Sequence, residues 1–438
     1  MTTARRAPGA AAGLAAAALL TACGAQPQEA APATTTGCMV SAPAGFADRS
    51  IGQLSFGELS HAQSAGFLAS TSSQRVSTLA GTEEALGRYA GGDCSLGALV
   101  GPGGAEALAA VAARAPDTAW LAVATGGTDY PDNVVTIDFD LREPAFIAGY
   151  AAAASSETGT VAMFVSRGFA GGEELLAAFD AGVEQRNDDT GSEVAGLREG
   201  SVSQRTVDDT PAAGRAYTED AIEADADVIV PFASGAASGV LEVFTEHYAP
   251  DDEDTADGTG DAAGGDGAGD TDGAAGAGGA PGADGGSGPG TAAAGTAGPG
   301  IAGDGAADGD GGTGEEPEEE LGPTLIWYGT DGARTLDDDL GEHVIASTVP
   351  NVAAGFQSTV AGWPVTGFAG EIEEPEGEER TIGDIAVRAP AYTGTMDNGG
   401  VEVVASDGLL STVAGLSRDI ADVRDRIRAG EIDVPGAD

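Results

Sequence analysis

Short apolar runs, each followed by a stretch of helical spacing, recur along most of this chain, and that alternation limits the possible folds more than any other feature. The runs are CMVS, LGALVG, WLAVA, VVTIDF, TVAMFVS, VIVPFAS, TLIWYG and VIASTV. Between them lie helix-forming stretches that include Ala105 to Ala115, Glu143 to Ser155, Glu173 to Gln185 and Gly239 to His247. Strands that are apolar on both faces and separated by helices form parallel sheets with helices covering both sides. About 330 residues of this kind exceed one ordinary core, so two α/β lobes are expected.

The N-terminus reads as a lipoprotein export signal over residues 1–22. Arg5 and Arg6 precede the apolar stretch Gly9 to Leu20, and Leu20-Thr21-Ala22-Cys23 places small residues just before a cysteine. Cys23 is therefore expected to carry lipid, with residues 23–37, rich in Ala, Pro and Thr, as a flexible tether. No later run reaches the roughly 20 apolar residues of a membrane span. The expected location is the extracytoplasmic side of the cell membrane, held there by lipid alone. Thiols oxidise outside the cytoplasm, and Cys38 and Cys94 each stand at or just before an apparent strand. They are expected to form a disulfide, contributing at most about 4 kcal/mol through loop entropy.

A net charge of −51, with 19 arginines and no lysine, excludes a nucleic-acid partner, which needs a basic face. Much of that charge lies in residues 249–320. Asp251 to Glu320 holds 18 acidic residues, no basic ones and only Ile301 among large apolar side chains. Such a stretch buries too little surface to offset its ordering entropy, so it reads as a disordered insertion. Lengthening a loop to this size costs only about 2.5 kcal/mol in closure entropy. The three histidines, His61, His247 and His343, have no catalytic partner nearby in sequence, and there is no CxxC or Cys/His cluster. Neither an enzyme, a cofactor nor a metal site is expected.

Six stretches, in order, carry a more specific signal: CMVSAPAGFADRSIGQ, ALVGPGGAEALAAVAARAPDTAWLAV, NVVTIDFDLREPAFIAGYAAA, GTVAMFV followed by AAFDAGVEQRN, ADVIVPFASGAASGV, and RAGEIDVP. Together they resemble the basic membrane protein (PnrA-like) family of ABC-transporter substrate-binding lipoproteins, which includes purine-nucleoside receptors. The resemblance implies a type I periplasmic-binding-protein fold in which two Rossmann-like lobes close on a ligand at a hinge. It divides the chain into lobe 1 (38–142 plus 351–375), lobe 2 (143–248 plus 321–350) and a C-terminal part (376–438) that returns to both. It also implies a small polar ligand, for which a nucleoside is one candidate, and ABC permease subunits as partners. A sensing or protein-binding lipoprotein that keeps the two-lobe fold without transport is the alternative.

The family's loop after its first strand resembles D-x-G-G-F-D-D-K-S-F-N-Q. Matched from the strand end, this chain keeps Asp48, Ser50 and Gln53. It places Ala42 at the first aspartate, Arg49 at the lysine and Ile51 at the stacking phenylalanine. A second register, through LSFGE, offers Phe56 as the aromatic. The family's ribose-holding aspartate falls on Asp331 in WYGTDG, which equally suits a turn before Gly332. Its ligand-facing lysine falls on Pro350. In VPFASGAASG, Gly235 belongs to the glycine-bearing loop, and Phe232 is either an aromatic wall or a core residue. The resemblance thus implies a binding loop that has lost some of its purine contacts.

Overall fold

The computed structural model describes residues 34–41, 43–76, 78–198, 204–249, 322–365, 379–406 and 415–436. The signal segment, Cys23, Ala42 and the acidic insertion of the sequence reading lie outside these residues. In chain order, β1 (Thr36–Ser41), α1 (Ile51–Ser64), β2 (Ser70–Arg75), α2 (Thr82–Ala90), β3 (Leu96–Val100), α3 (Ala105–Arg114), β4 (Ala119–Val123) and β5 (Val134–Phe139) alternate strictly until the last two strands. Next come α4 (Arg142–Ser155), β6 (Thr160–Ser166), α5 (Gly172–Thr190), the short β7 (Ala195–Gly196) and β8 (Thr206–Val207), α6 (Pro211–Glu223), β9 (Val228–Phe232) and α7 (Gly235–His247). After residue 322 follow β10 (Thr324–Tyr328), the one-turn helices α8 (Gly332–Thr335) and α9 (Asp338–Gly341), β11 (Val344–Pro350) and α10 (Val352–Thr359). The hairpin β12 (Arg380–Ile382) and β13 (Ile385–Val387), then β14 (Ala391–Gly394), β15 (Val401–Ala405) and α11 (Leu416–Arg428) complete the described chain.

These strands form two main sheets. The first has the order β14-β5-β4-β3-β1-β2 and is parallel throughout. The second runs β15-β11-β10-β9-β6-β7, with β8 also on β6, and only β15 is antiparallel. Every residue of β3, β4 and β9 is buried, as expected of strands covered on both faces. The chain passes between the sheets three times: β5 to α4, β11 to α10, and β14 to β15. The fold is thus α/β with two helix-covered lobes, as the alternation predicts.

Sequence patterning left some elements unseen. Strand β2, STSSQR, has no apolar residue, and it occupies the edge of the first sheet, where polar residues are tolerated. Strand β1 begins at Thr36, two residues before the apolar run, because Thr36 and Gly37 pair with Ser70 and Thr71 of that edge strand. Cys38 and Cys94 form the expected disulfide, with Cα atoms 5.9 Å apart, close to the usual separation.

Helix α4 is the centre of the second lobe. Pro144 through Ala153 are all buried, among the second sheet, α5 and α11. Its crossing with α5 is built on two glycines. A Cβ on Gly149 would stand 2.0 Å from the Phe179 carbonyl oxygen, and one on Gly182 would stand 1.9 Å from that of Phe146. Backbones meet here without side chains between them. At the far side of the lobe the Tyr248 hydroxyl donates to the Pro323 carbonyl at 2.5 Å, which joins the end of α7 to the approach to β10.

Candidate ligand-binding cleft

The carboxyl ends of both sheets face one cavity of about 270 Å³. This is where an open parallel sheet leaves room for ligands, because the loops and helix N-termini diverge there. From the first lobe come Ile51 after β1, Pro102 after β3, the loop Ala124 to Thr128 after β4, and Asp138 and Phe139 at the end of β5. The second lobe contributes Phe169 and Ala170 after β6, Ser234 after β9 and Tyr328 at the end of β10.

The wall is mostly apolar, with few polar groups. Asp138 interrupts the apolar run of β5 and is half-buried; burial pushes its carboxyl up to about 6. Nearby, Tyr130 shares a 2.5 Å hydrogen bond with Thr125, and burial, aided by the negative charge of Asp138, raises its phenol. Ser234 is almost fully buried, and its Oγ has no hydrogen-bond partner. Burial also raises the Tyr328 phenol, with the Asp48 charge adding to the effect. Its ring stacks on Phe232 (5.2 Å between centroids) and meets Phe169 edge-on at 5.3 Å. Ala124 adopts φ +51°, a left-handed conformation rare for a residue with a Cβ and a form of strain that recurs at ligand sites.

The six residues expected to touch ligand lie elsewhere, and none is on the cavity wall. The Asp48 carboxylate accepts backbone N–H groups of Ser50 (3.0 Å), Gly52 (3.0 Å) and Gln53 (2.9 Å), so it closes the N-terminus of α1. Ser50 is fully buried beneath Gly329, where a Cβ would stand 2.4 Å from the Ser50 Cα. The Gln53 side chain is exposed. Phe232 packs in the core behind Tyr328. Gly235 opens α7, pressed against the Asp209 carbonyl, while the Asp209 carboxylate takes N–H bonds from Ser234 and Ala236. Asp331 pairs with Arg334 at 3.4 Å and starts α8, which matches its reading as a turn residue. Pro350, at the end of β11, is also off the wall.

Three of these positions adjoin the wall: Ser50 precedes Ile51, Gly235 follows Ser234, and Phe232 backs Tyr328. Ile51, the stacking position in the register matched from the strand end, lines the cavity, whereas Phe56, the aromatic of the second register, is partly exposed and packs on Phe46 at 5.2 Å. Sequence reasoning missed Asp138, since a carboxylate carries little information in a chain with 70 of them. The usable signal was its place in VVTIDF, as the one charged residue in an otherwise uncharged strand.

The lobes are in contact around this cavity. The Arg49 carbonyl, on the β1–α1 loop, accepts hydrogen bonds from Trp327 Nε1 (3.1 Å), the Thr330 N–H (3.2 Å) and Thr330 Oγ1 (2.9 Å). The Arg49 guanidinium donates to the Thr335 carbonyl and reaches Asp337 Oδ1 at 3.2 Å. On another side, Gly126 approaches the Gly168 carbonyl so closely that a Cβ would stand 3.0 Å away.

Residues 36–251 match the family described as Bmp, ABC transporter substrate-binding protein PnrA-like. No curated protein matches the chain by sequence. Among solved structures, an ABC transporter system solute-binding protein from Aeropyrum pernix K1 is similar over 92% of this chain and 94% of its own, with 14% identity and a TM-score of 0.53. A transcriptional activator of the comK gene from Bacillus halodurans is similar over 90% and 98%, with 14% identity and a TM-score of 0.50. At such identities the likeness concerns the fold, which proteins of different function share.

Proposed function

Since residues 36–251 belong to the PnrA-like family of ABC transporter substrate-binding proteins, we propose that this chain is the extracytoplasmic solute-binding lipoprotein of an ABC importer. In this reading Cys23 carries the lipid, the cleft takes a nucleoside-like or other small polar solute, and the closed protein docks on permease subunits. The observation that supports it best is the cavity itself, formed where the carboxyl ends of two sheets converge. The role is binding, as in the family, and not turnover.

The purine contacts of the family are reduced here. Ala42, Ile51 and Pro350 replace a carboxylate, a stacking ring and a cation. A base stack contributes roughly 1 to 3 kcal/mol and a charge-assisted hydrogen bond roughly 1.5 to 3. Their combined loss, about 4 to 9 kcal/mol, lowers affinity a thousandfold or more. Purine nucleosides are accordingly expected to bind weakly. Calorimetry with adenosine, guanosine and inosine tests this, and sub-micromolar binding to the unmodified protein overturns it. The broader reading is tested by mass spectrometry of small molecules released from the purified protein. A released solute that rebinds and raises the melting temperature supports it; failure of any small solute to bind removes it.

A further inference from the structure

We propose that the solute is a small organic cation, a protonated amine or amidine on a compact flat or apolar body, with Asp138 as its counter-ion. This rests on the reading of the cleft as the solute site. Among the described residues Asp138 is the only carboxylate on the cavity wall, and no arginine or histidine among them shares that wall. The groups around it leave it unneutralised. Asp140, two residues along, is held by Arg142 at 2.5 Å; Tyr130 is engaged with Thr125; the uncharged Thr393 is its partner on β14; and Tyr328 faces in from the second lobe with Asp48 behind it. A half-buried carboxylate with no donor is costly unless something arrives to pair with it.

The rest of the wall suits the same guest. Phe139, Phe169 and Tyr328 present aromatic surface, which attracts a cation through the ring quadrupole and a flat body through contact. Ser234 Oγ, buried and unpartnered, supplies one more acceptor for an N–H. An anion would be repelled by Asp138. A sugar, with hydroxyls on all sides, would find few partners on so apolar a wall. The volume, about 270 Å³, lies just below the roughly 300–1,000 Å³ usual for such clefts, which favours a one-ring or short-chain solute. Because burial raises the empty-site Asp138 carboxyl to about 6, a cation must keep it ionised, and affinity should fall about tenfold from pH 7.5 to pH 5.

The test compares matched pairs by calorimetry: benzamidine with benzamide and 2-phenylethylamine with 2-phenylethanol, alongside adenosine, at pH 7.5 and 5. Both cations stay protonated over that range. The expected result is at least tenfold preference for each cation at pH 7.5, reduced at pH 5 and abolished by Asp138→Asn. Equal binding within the pairs, or a preference that survives D138N, overturns the inference. The charge of any solute released from the native protein decides it separately: a cation supports it, and a neutral or anionic solute overturns it while leaving the solute-binding reading intact. If no probe binds and no solute is released, both readings fall.

Discussion

The Trp327 indole N–H donates to the Arg49 carbonyl at 3.1 Å, which ties the end of a second-lobe strand to the loop after the first strand of the chain. With two further donors from Thr330 on the same oxygen, Arg49 forms one of the contacts between the lobes. Arg49 itself adopts φ +51°, a left-handed conformation uncommon for a residue with a Cβ. Replacing Trp327 by Phe and Thr330 by Val removes two of the three, each contributing about 1 kcal/mol. The double variant should populate an open form, seen as a larger radius of gyration in small-angle scattering. Any solute should bind it roughly 5- to 30-fold more weakly. Unchanged scattering and affinity would show that this contact does not govern closure.

The α4–α5 crossing should be the most sensitive place in the second lobe. Gly149→Ala places a methyl group 2.0 Å from the Phe179 carbonyl oxygen, and Gly182→Ala places one 1.9 Å from that of Phe146. Neither neighbour is a side chain that can swing away. Each substitution should lower stability by several kcal/mol, about 3 or more, because the helices must part. Thermal melting gives the measurement. Gly57→Ala, where a Cβ meets nothing within 4 Å, is the matched control and should change little.

Asp138 gives a pH signature in the empty protein. Its carboxyl is raised from an ordinary 3.8 to about 6, so the folded state holds a proton that the unfolded state has released. Its contribution to stability is therefore full below about pH 3.8 and lost as pH rises through about 6. Asp138→Asn mimics the protonated form. At pH 7.5 it should be more stable than the parent by roughly 1 to 2 kcal/mol after allowance for partial solvent screening, and at pH 4 the two should coincide. Chemical denaturation at both pH values checks this, and a constant difference would assign the effect to packing.

Excising residues 251–320 and joining the ends with a short Gly/Ser link should leave the fold standing. The described chain on either side already meets through Tyr248 and Pro323. The melting temperature should stay within a few degrees. A fall of more than about 10 °C, equivalent to several kcal/mol, would show that the segment contributes to the core.

Much of this architecture is written in apolar periodicity, because strands buried on both faces must be continuously apolar. The runs LGALV, AWLAV and VIVPF stand in the structure as β3, β4 and β9. Strand β2 is not legible that way, since its position is fixed by backbone pairing to β1 and its side chains need not be apolar. The cleft was legible in place but not in detail. Asp48 and Ser50 stand just before α1, and Asp48 uses its oxygens on helix N–H groups, a role its position before an apolar-periodic stretch could have announced. Asp331 pairs with its neighbour Arg334, a contact that the segment WYGTDG does not announce. Local sequence does not record which carboxylate an arginine three residues away will claim.

The single hydrogen bond between Tyr248 and Pro323 also bears on how this chain can change over generations. Two strands of one sheet, β9 and β10, are neighbours in space, although more than seventy residues separate α7 from β10 in the sequence. With departure and return points touching, the length between them enters folding only through a logarithm. Residues can be gained or lost there without moving any residue of the cleft. The same junction is an entry point for a fluorescent reporter, which could be spliced in without disturbing the residues that line the cavity.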